Sequence, residues 1–134
     1  MRFVSTRFHG VMDYVFGILL IVAPWLLGFA RGGTETWVPV ILGIAVILYS
    51  LFTDYELGVS RSIPMPTHLV LDGLVGLILL VSPWLFGFSD YVRAPHVILG
   101  ILFIAAALFT RKVPSYGRVG GTSGRPGTPG PTAG

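Results

Sequence analysis

A chain of 134 residues is long enough for one domain, and its 53% apolar and 11% charged residues leave it with less than half the charge, about 25%, of a typical soluble domain. That balance excludes a soluble fold, which at this length has no interior large enough for the apolar side chains, and makes a lipid bilayer the first partner. The absence of cysteine excludes disulfides, thiolate metal sites and cysteine nucleophiles, and the net charge of +3 comes from basic residues at the ends of apolar runs, a pattern of membrane orientation rather than of nucleic-acid binding.

Four apolar runs follow in chain order. The first covers residues 11–30 and is broken only by Asp13. The second covers 37–52, the third 69–88 with Asp72 as its only break, and the fourth 95–109. A helix needs about 20 apolar residues to cross the hydrocarbon core, so the first and third are long enough. The second and fourth must borrow flanking residues or thin the bilayer, and Arg111 and Lys112 can snorkel at the end of the fourth. The first run is too long for the apolar core of a signal peptide, and a copy of it recurs in mid-chain.

With four spans, the N-terminus, the middle loop and the C-terminus share one side. That side holds Arg2, Arg7, Arg61, Arg111, Lys112, Arg118 and Arg125, and the other holds Arg31 and Arg93. Seven basic residues against two predict that both termini are cytoplasmic. Trp25, Trp37, Trp84 and Tyr91 then lie at the outer interface, where amphipathic rings belong. The expected organisation is an all-α membrane domain over residues 1–112 and a Gly/Pro-rich tail over 113–134 that lacks the apolar content to fold.

The domain is internally repeated. Residues 9–29 align with 68–88, and 11 of 21 positions are identical. The identities include His9/His68, Asp13/Asp72, Gly17/Gly76, Pro24/Pro83, Trp25/Trp84, Gly28/Gly87 and Phe29/Phe88. Val-Ile-Leu-Gly-Ile recurs at 40–44 and 97–101, and Leu-Phe-Thr at 51–53 and 108–110. The repeats therefore span about 5–53 and 64–110. Each has two spans, so both enter the membrane in the same direction about an axis along its normal, and equivalent residues lie at equal depth.

Ser82-Pro83-Trp84 followed by Leu85-Phe86-Gly87-Phe88 resembles the SPW-repeat family of small membrane proteins. The first copy departs slightly, with Ala23 in place of the serine before Pro24-Trp25. Thr53-Asp54-Tyr55-Glu56, Ile63-Pro64-Met65 and His68-Leu69 are also similar to that family. The resemblance covers about residues 5–112 and implies a two-repeat, four-span protein of the bacterial cytoplasmic membrane. It brings no catalytic residues.

The motif has a physical reading of its own. Pro24 and Pro83 each free a carbonyl four residues back, on Leu20 and Leu79, and predict a kink. Ser82 is placed to satisfy freed backbone groups in its copy, whereas Ala23 is not. Gly28 and Gly87 suit helix ends, and Thr67 suits the cap of the third helix. Gly17, Gly43, Gly76 and Gly100 lie inside spans and predict close helix packing. Arg7, Asp54, Glu56 and Arg61, at the cytoplasmic face, read as solvated loop charges or lipid-headgroup contacts.

His9 and Asp13 are four residues apart and share a helix face, and His68 and Asp72 repeat the arrangement. By symmetry both pairs lie at one depth, one to two turns inside the cytoplasmic end. Three uses are open: a structural hydrogen-bonding network between the first and third helices, a proton or cation site, and a metal or haem site. The expectation taken forward is structural, with no enzyme activity, no cofactor and no resident metal. The protein is expected to pack against itself or a membrane protein partner, with proton or small-cation transport as the alternative.

Overall fold

The computed structural model describes residues 2–113; the tail expected to be disordered lies, apart from Val113, outside the described residues, as do Arg118 and Arg125 of the charge count. Four helices make up the described chain, with no strands among the described residues: α1 (Thr6–Leu26), α2 (Thr34–Leu51), α3 (Met65–Leu85) and α4 (Ala94–Phe109). At 1.5 Å per residue α1 and α3 are about 31 Å long, α2 about 27 Å and α4 about 24 Å. The first three are long and apolar enough to cross a membrane, and α4, with 16 residues, is the short one. The molecule is a multi-pass membrane protein.

Each repeat is a helical hairpin whose two backbones touch. A Cβ placed on Gly100 would lie 2.6 Å from the Gly76 carbonyl oxygen, and one on Gly76 would lie 2.6 Å from that of Gly100. The first hairpin has the same crossing, where a Cβ on Gly43 would meet the Gly17 carbonyl oxygen at 2.6 Å. Small residues at these crossings bring α1 against α2 and α3 against α4, which is the packing expected of glycine inside lipid-embedded helices.

The helix ends explain the Pro-Trp-x-x-Gly-Phe spacing. Gly28 and Gly87 follow the last helical turns with φ of 74° and 75°, a left-handed conformation that glycine adopts without strain. The turn back brings the Phe29 N–H to the Pro24 carbonyl and the Phe88 N–H to the Pro83 carbonyl, each at 2.8 Å. This is the six-to-one bond of a Schellman cap. Phe29 and Phe88 are buried, and both pack on the ring of His96 with centroids 5.2 and 4.8 Å away. The Ser82 hydroxyl donates to the Leu79 carbonyl at 2.8 Å, the carbonyl that Pro83 leaves without an N–H partner. Trp25 and Trp84, each 57% exposed, face outward beside these caps.

At the other end the repeats interlock. Val4 forms a parallel bridge with Thr110, and Ile63 forms one with Thr53. The bonds correspond one for one: Val4 N–H to Phe109 O and Arg111 N–H to Val4 O in one place, Ile63 N–H to Phe52 O and Asp54 N–H to Ile63 O in the other. The segment entering α1 is thus tied to the end of α4, and the segment entering α3 to the end of α2. Arg2 adds to the first tie by donating to the Ala107 and Thr110 carbonyls at 2.8 Å.

Thr67 does not cap α3. The helix starts at Met65 behind Pro64, with no side-chain cap bond, because a proline at the cap fixes the entry and places Thr67 inside the first turn. The side-chain cap belongs to α1, where Ser5 accepts from the Phe8 N–H at 3.1 Å.

Candidate functional site

His9 and His68 are each the fourth residue of their helix, and Asp13 and Asp72 each the eighth. Because α1 and α3 begin at equivalent points of the repeat, the four side chains meet at one level, one to two turns from the end that carries the interlocks. All four are buried, none more than 3% exposed. His9 Nε2 lies 2.6 Å from Asp72 Oδ2 and 3.1 Å from Asp13 Oδ1. His68 Nε2 lies 2.9 Å from Asp13 Oδ2 and 3.2 Å from Asp72 Oδ2. The shorter contact of each histidine crosses to the other repeat. The two rings pack edge to face with centroids 5.5 Å apart.

Every member has an outer partner. His9 Nδ1 lies 2.6 Å from Thr110 Oγ1, and His68 Nδ1 lies 2.7 Å from Thr53 Oγ1. These threonines are the last residues of the repeated Leu-Phe-Thr, held under the histidines by the two bridges. The Tyr49 hydroxyl donates to Asp72 Oδ1, and the Tyr55 hydroxyl donates to Asp13 Oδ2 at 3.1 Å. Burial and the adjacent Asp13 carboxylate push the Tyr55 phenol above its ordinary pKa, so it stays a donor.

The site is two-fold in its histidines, aspartates and threonines but not in its tyrosines. Tyr49 stands on α2 where the second repeat has Ala106 on α4. The space that a tyrosine fills beside Asp72 is, beside Asp13, a cavity of about 10 Å³ bordered by His9, Met12, Phe16, Phe103 and Ala106. That is about the room of one water. Asp13 takes its phenol from the middle loop instead.

Apolar layers close the site above and below. Tyr55, Met65 and Leu69 form a buried cluster on the side of the interlocks. Leu20, Val46, Val75, Leu79, Leu99 and Phe103 fill the core on the other side. The middle loop is drawn over the site: Thr6 donates to the Glu56 carboxylate at 2.7 and 2.9 Å, and Tyr14 to the Leu57 carbonyl at 2.9 Å. Glu56 is therefore half-buried and hydrogen-bonded rather than a solvated loop charge.

The structure thus brings together all four residues of the expected cluster. The motif residues Pro24, Trp25, Gly28, Ser82, Pro83, Trp84 and Gly87 lie at the opposite end of the helices, outside it. Sequence reasoning missed Tyr49, Thr53, Tyr55 and Thr110. The recurrence of Thr53 and Thr110 at the end of the repeated Leu-Phe-Thr was the available signal for two of them. It also missed buried His96, whose Nε2 donates to the Glu35 carbonyl at 3.0 Å near the other end.

In comparisons with known proteins, the SPW repeat domain matches residues 7–110. The chain belongs to the SPW-repeat family. No curated protein and no solved structure matches it. The SPW motif itself accounts for the helix caps, while the His–Asp cluster occupies the other end of the same repeats. Chemically, the cluster offers two imidazole nitrogens and two carboxylate oxygens within 4.8 Å of one another, a set able to share protons or to hold a divalent ion.

Proposed function

We propose that this chain is a small, non-enzymatic protein of the bacterial cytoplasmic membrane that works by packing against a second copy or another membrane protein. In this reading the His–Asp cluster is the join between its two repeats. The observation that carries it is that the shorter contact of each histidine runs from one repeat to the aspartate of the other, inside a site sealed from both sides. The alternative, transport of protons or a small cation, needs a polar route through the bundle. Leu20, Val46, Leu79 and Phe103 belong to the apolar core in that direction and argue against it. The Lys/Arg count supports cytoplasmic termini.

The test is a comparison of paired variants in chelator-treated detergent solution. In Asp13→Asn with Asp72→Asn, each amide nitrogen can donate to a histidine Nε2 while its oxygen accepts the tyrosine hydroxyl. The buried charges are gone, so thermal unfolding should match that of the wild type. His9→Ala with His68→Ala leaves two buried carboxylates facing each other without the imidazoles between them, and should cost about 3–5 kcal/mol. A double Asn variant that fails to fold would overturn the structural join. A measured proton or cation flux that the same variant abolishes would favour transport.

A further inference from the structure

From the same four side chains we infer that the cluster is a binding site for one divalent transition-metal ion of the zinc type, held by His9 Nε2, His68 Nε2, Asp13 and Asp72. The inference rests on the reading of the cluster as the join between repeats, and gives that join its ligand.

Thr53 fixes where the hydrogen of His68 sits. Its hydroxyl lies 2.7 Å from the Tyr49 carbonyl, which can only accept. The Thr53 hydrogen is thereby committed, so toward His68 Nδ1 the hydroxyl is the acceptor and Nδ1 carries hydrogen. In a neutral imidazole that leaves a bare lone pair on Nε2. This atom is fully buried, has no hydrogen-bond partner, and faces two carboxylates at 2.9 and 3.2 Å. A lone pair against carboxylate oxygens is repulsive unless positive charge lies between them. A proton on Nε2 would point along neither contact well enough for a hydrogen bond. An ion placed among the four donors satisfies both carboxylates and both imidazoles at once.

The donor set fits. Two neutral imidazoles and two carboxylates balance a divalent charge, and nitrogen with oxygen donors in fourfold coordination suits zinc. A tetrahedron with bonds near 2.1 Å has edges of about 3.4 Å. The contacts of 2.6–3.2 Å between histidine and aspartate need to open by about 0.2–0.8 Å to reach that size, and the widest donor separations, which lie within 4.8 Å, need to close. The cavity beside His9 and Asp13 gives them room.

The outer partners fit as well. Metal-bound histidines hydrogen-bond through their other nitrogen, and metal-bound carboxylates are themselves hydrogen-bonded. All four ligands here have that support, from Thr110, Thr53, Tyr55 and Tyr49. The threonine hydroxyls orient the rings with Nε2 inward.

The test is a titration of the full-length, chelator-stripped protein in detergent with Co²⁺, followed by Zn²⁺. The expected result is one Co²⁺ per chain, giving an intense visible ligand-field band of a tetrahedral ion, lost on adding one equivalent of Zn²⁺. Asp13→Asn with Asp72→Asn should lose the band and weaken binding at least 100-fold while keeping its fold. His96→Gln, a buried histidine outside the cluster, should keep both. A folded wild type without stoichiometric Co²⁺, or a band that survives the double Asn change or depends on His96, overturns the metal site and leaves the structural join standing. Should the double Asn variant misfold, the structural join itself fails. His68→Gln, which removes one ligand and adds no charge, then decides the metal site by the same band.

Discussion

Thr53 and Thr110 set which nitrogen of each histidine faces the carboxylates. Thr53→Val keeps the shape of the side chain but removes the acceptor of the buried His68 Nδ1 hydrogen. The expected loss is about 1–3 kcal/mol, the penalty for an unsatisfied buried donor, measured by thermal unfolding in detergent. A Thr53→Ser change, which keeps the hydroxyl, should recover most of it. Equal stability of the Val variant and the wild type would mean that the ring is held by packing alone. At this scale the sequence is informative about the cluster and poor on its support. His9 with Asp13, and His68 with Asp72, are legible because four-residue spacing on one helix guarantees a shared face. Tyr49, Tyr55, Thr53 and Thr110 reach the site from other helices and a loop, through bridges that no local pattern encodes. Ala106 in place of a second tyrosine makes symmetry a misleading guide to the phenols.

The helices divide their labour between two ends. The Pro-Trp-x-x-Gly-Phe segments end α1 and α3 by the same cap, and the glycine crossings set how near the paired helices come. Gly87→Ala would force a Cβ into a left-handed turn with φ of 75°, with an expected loss of about 1–2 kcal/mol. Gly100→Leu should be worse. Its first side-chain atom would stand 2.6 Å from the Gly76 carbonyl oxygen, backbone that cannot rotate away, and overpacking of this kind costs about 1–3 kcal/mol or more. Both are read by thermal unfolding. A Gly100→Leu variant as stable as the wild type would show that the α3–α4 crossing is looser than described. The apolar runs locate all four helices, because a bilayer leaves length and hydropathy as the dominant signals. Helix starts are harder to read. Pro64 rather than Thr67 defines the entry to α3, since a proline's fixed φ starts a helix without a side-chain bond.

For the molecule as a whole, the repeat in the sequence becomes a two-fold arrangement that extends to the bridges Val4–Thr110 and Ile63–Thr53. Those bridges join the chain's beginning to the end of α4 as the middle loop joins α2 to α3, so the bundle is closed by contacts of the same kind twice. The even number of helices puts the start of α1, the end of α4 and the 53–66 loop on one side. Reporter fusions at the C-terminus and in that loop are expected to give cytoplasmic signals, and a fusion near Gly33 an external one. A periplasmic signal from the C-terminus would reverse the orientation. This expectation comes almost entirely from the sequence, because it rests on helix number and Lys/Arg placement and needs no knowledge of packing.

The central claim is that the two repeats are held together through the buried histidines and aspartates, and a double-mutant cycle across the repeat boundary tests it most directly. His9→Ala, Asp72→Asn and the double variant, unfolded in detergent beside the wild type, give the coupling between two side chains that sit 2.6 Å apart in different repeats. A coupling of about 1–3 kcal/mol is expected for such a buried pair. Losses that add to within about 0.5 kcal/mol would contradict the account, because the repeats would then be joined by something other than this cluster.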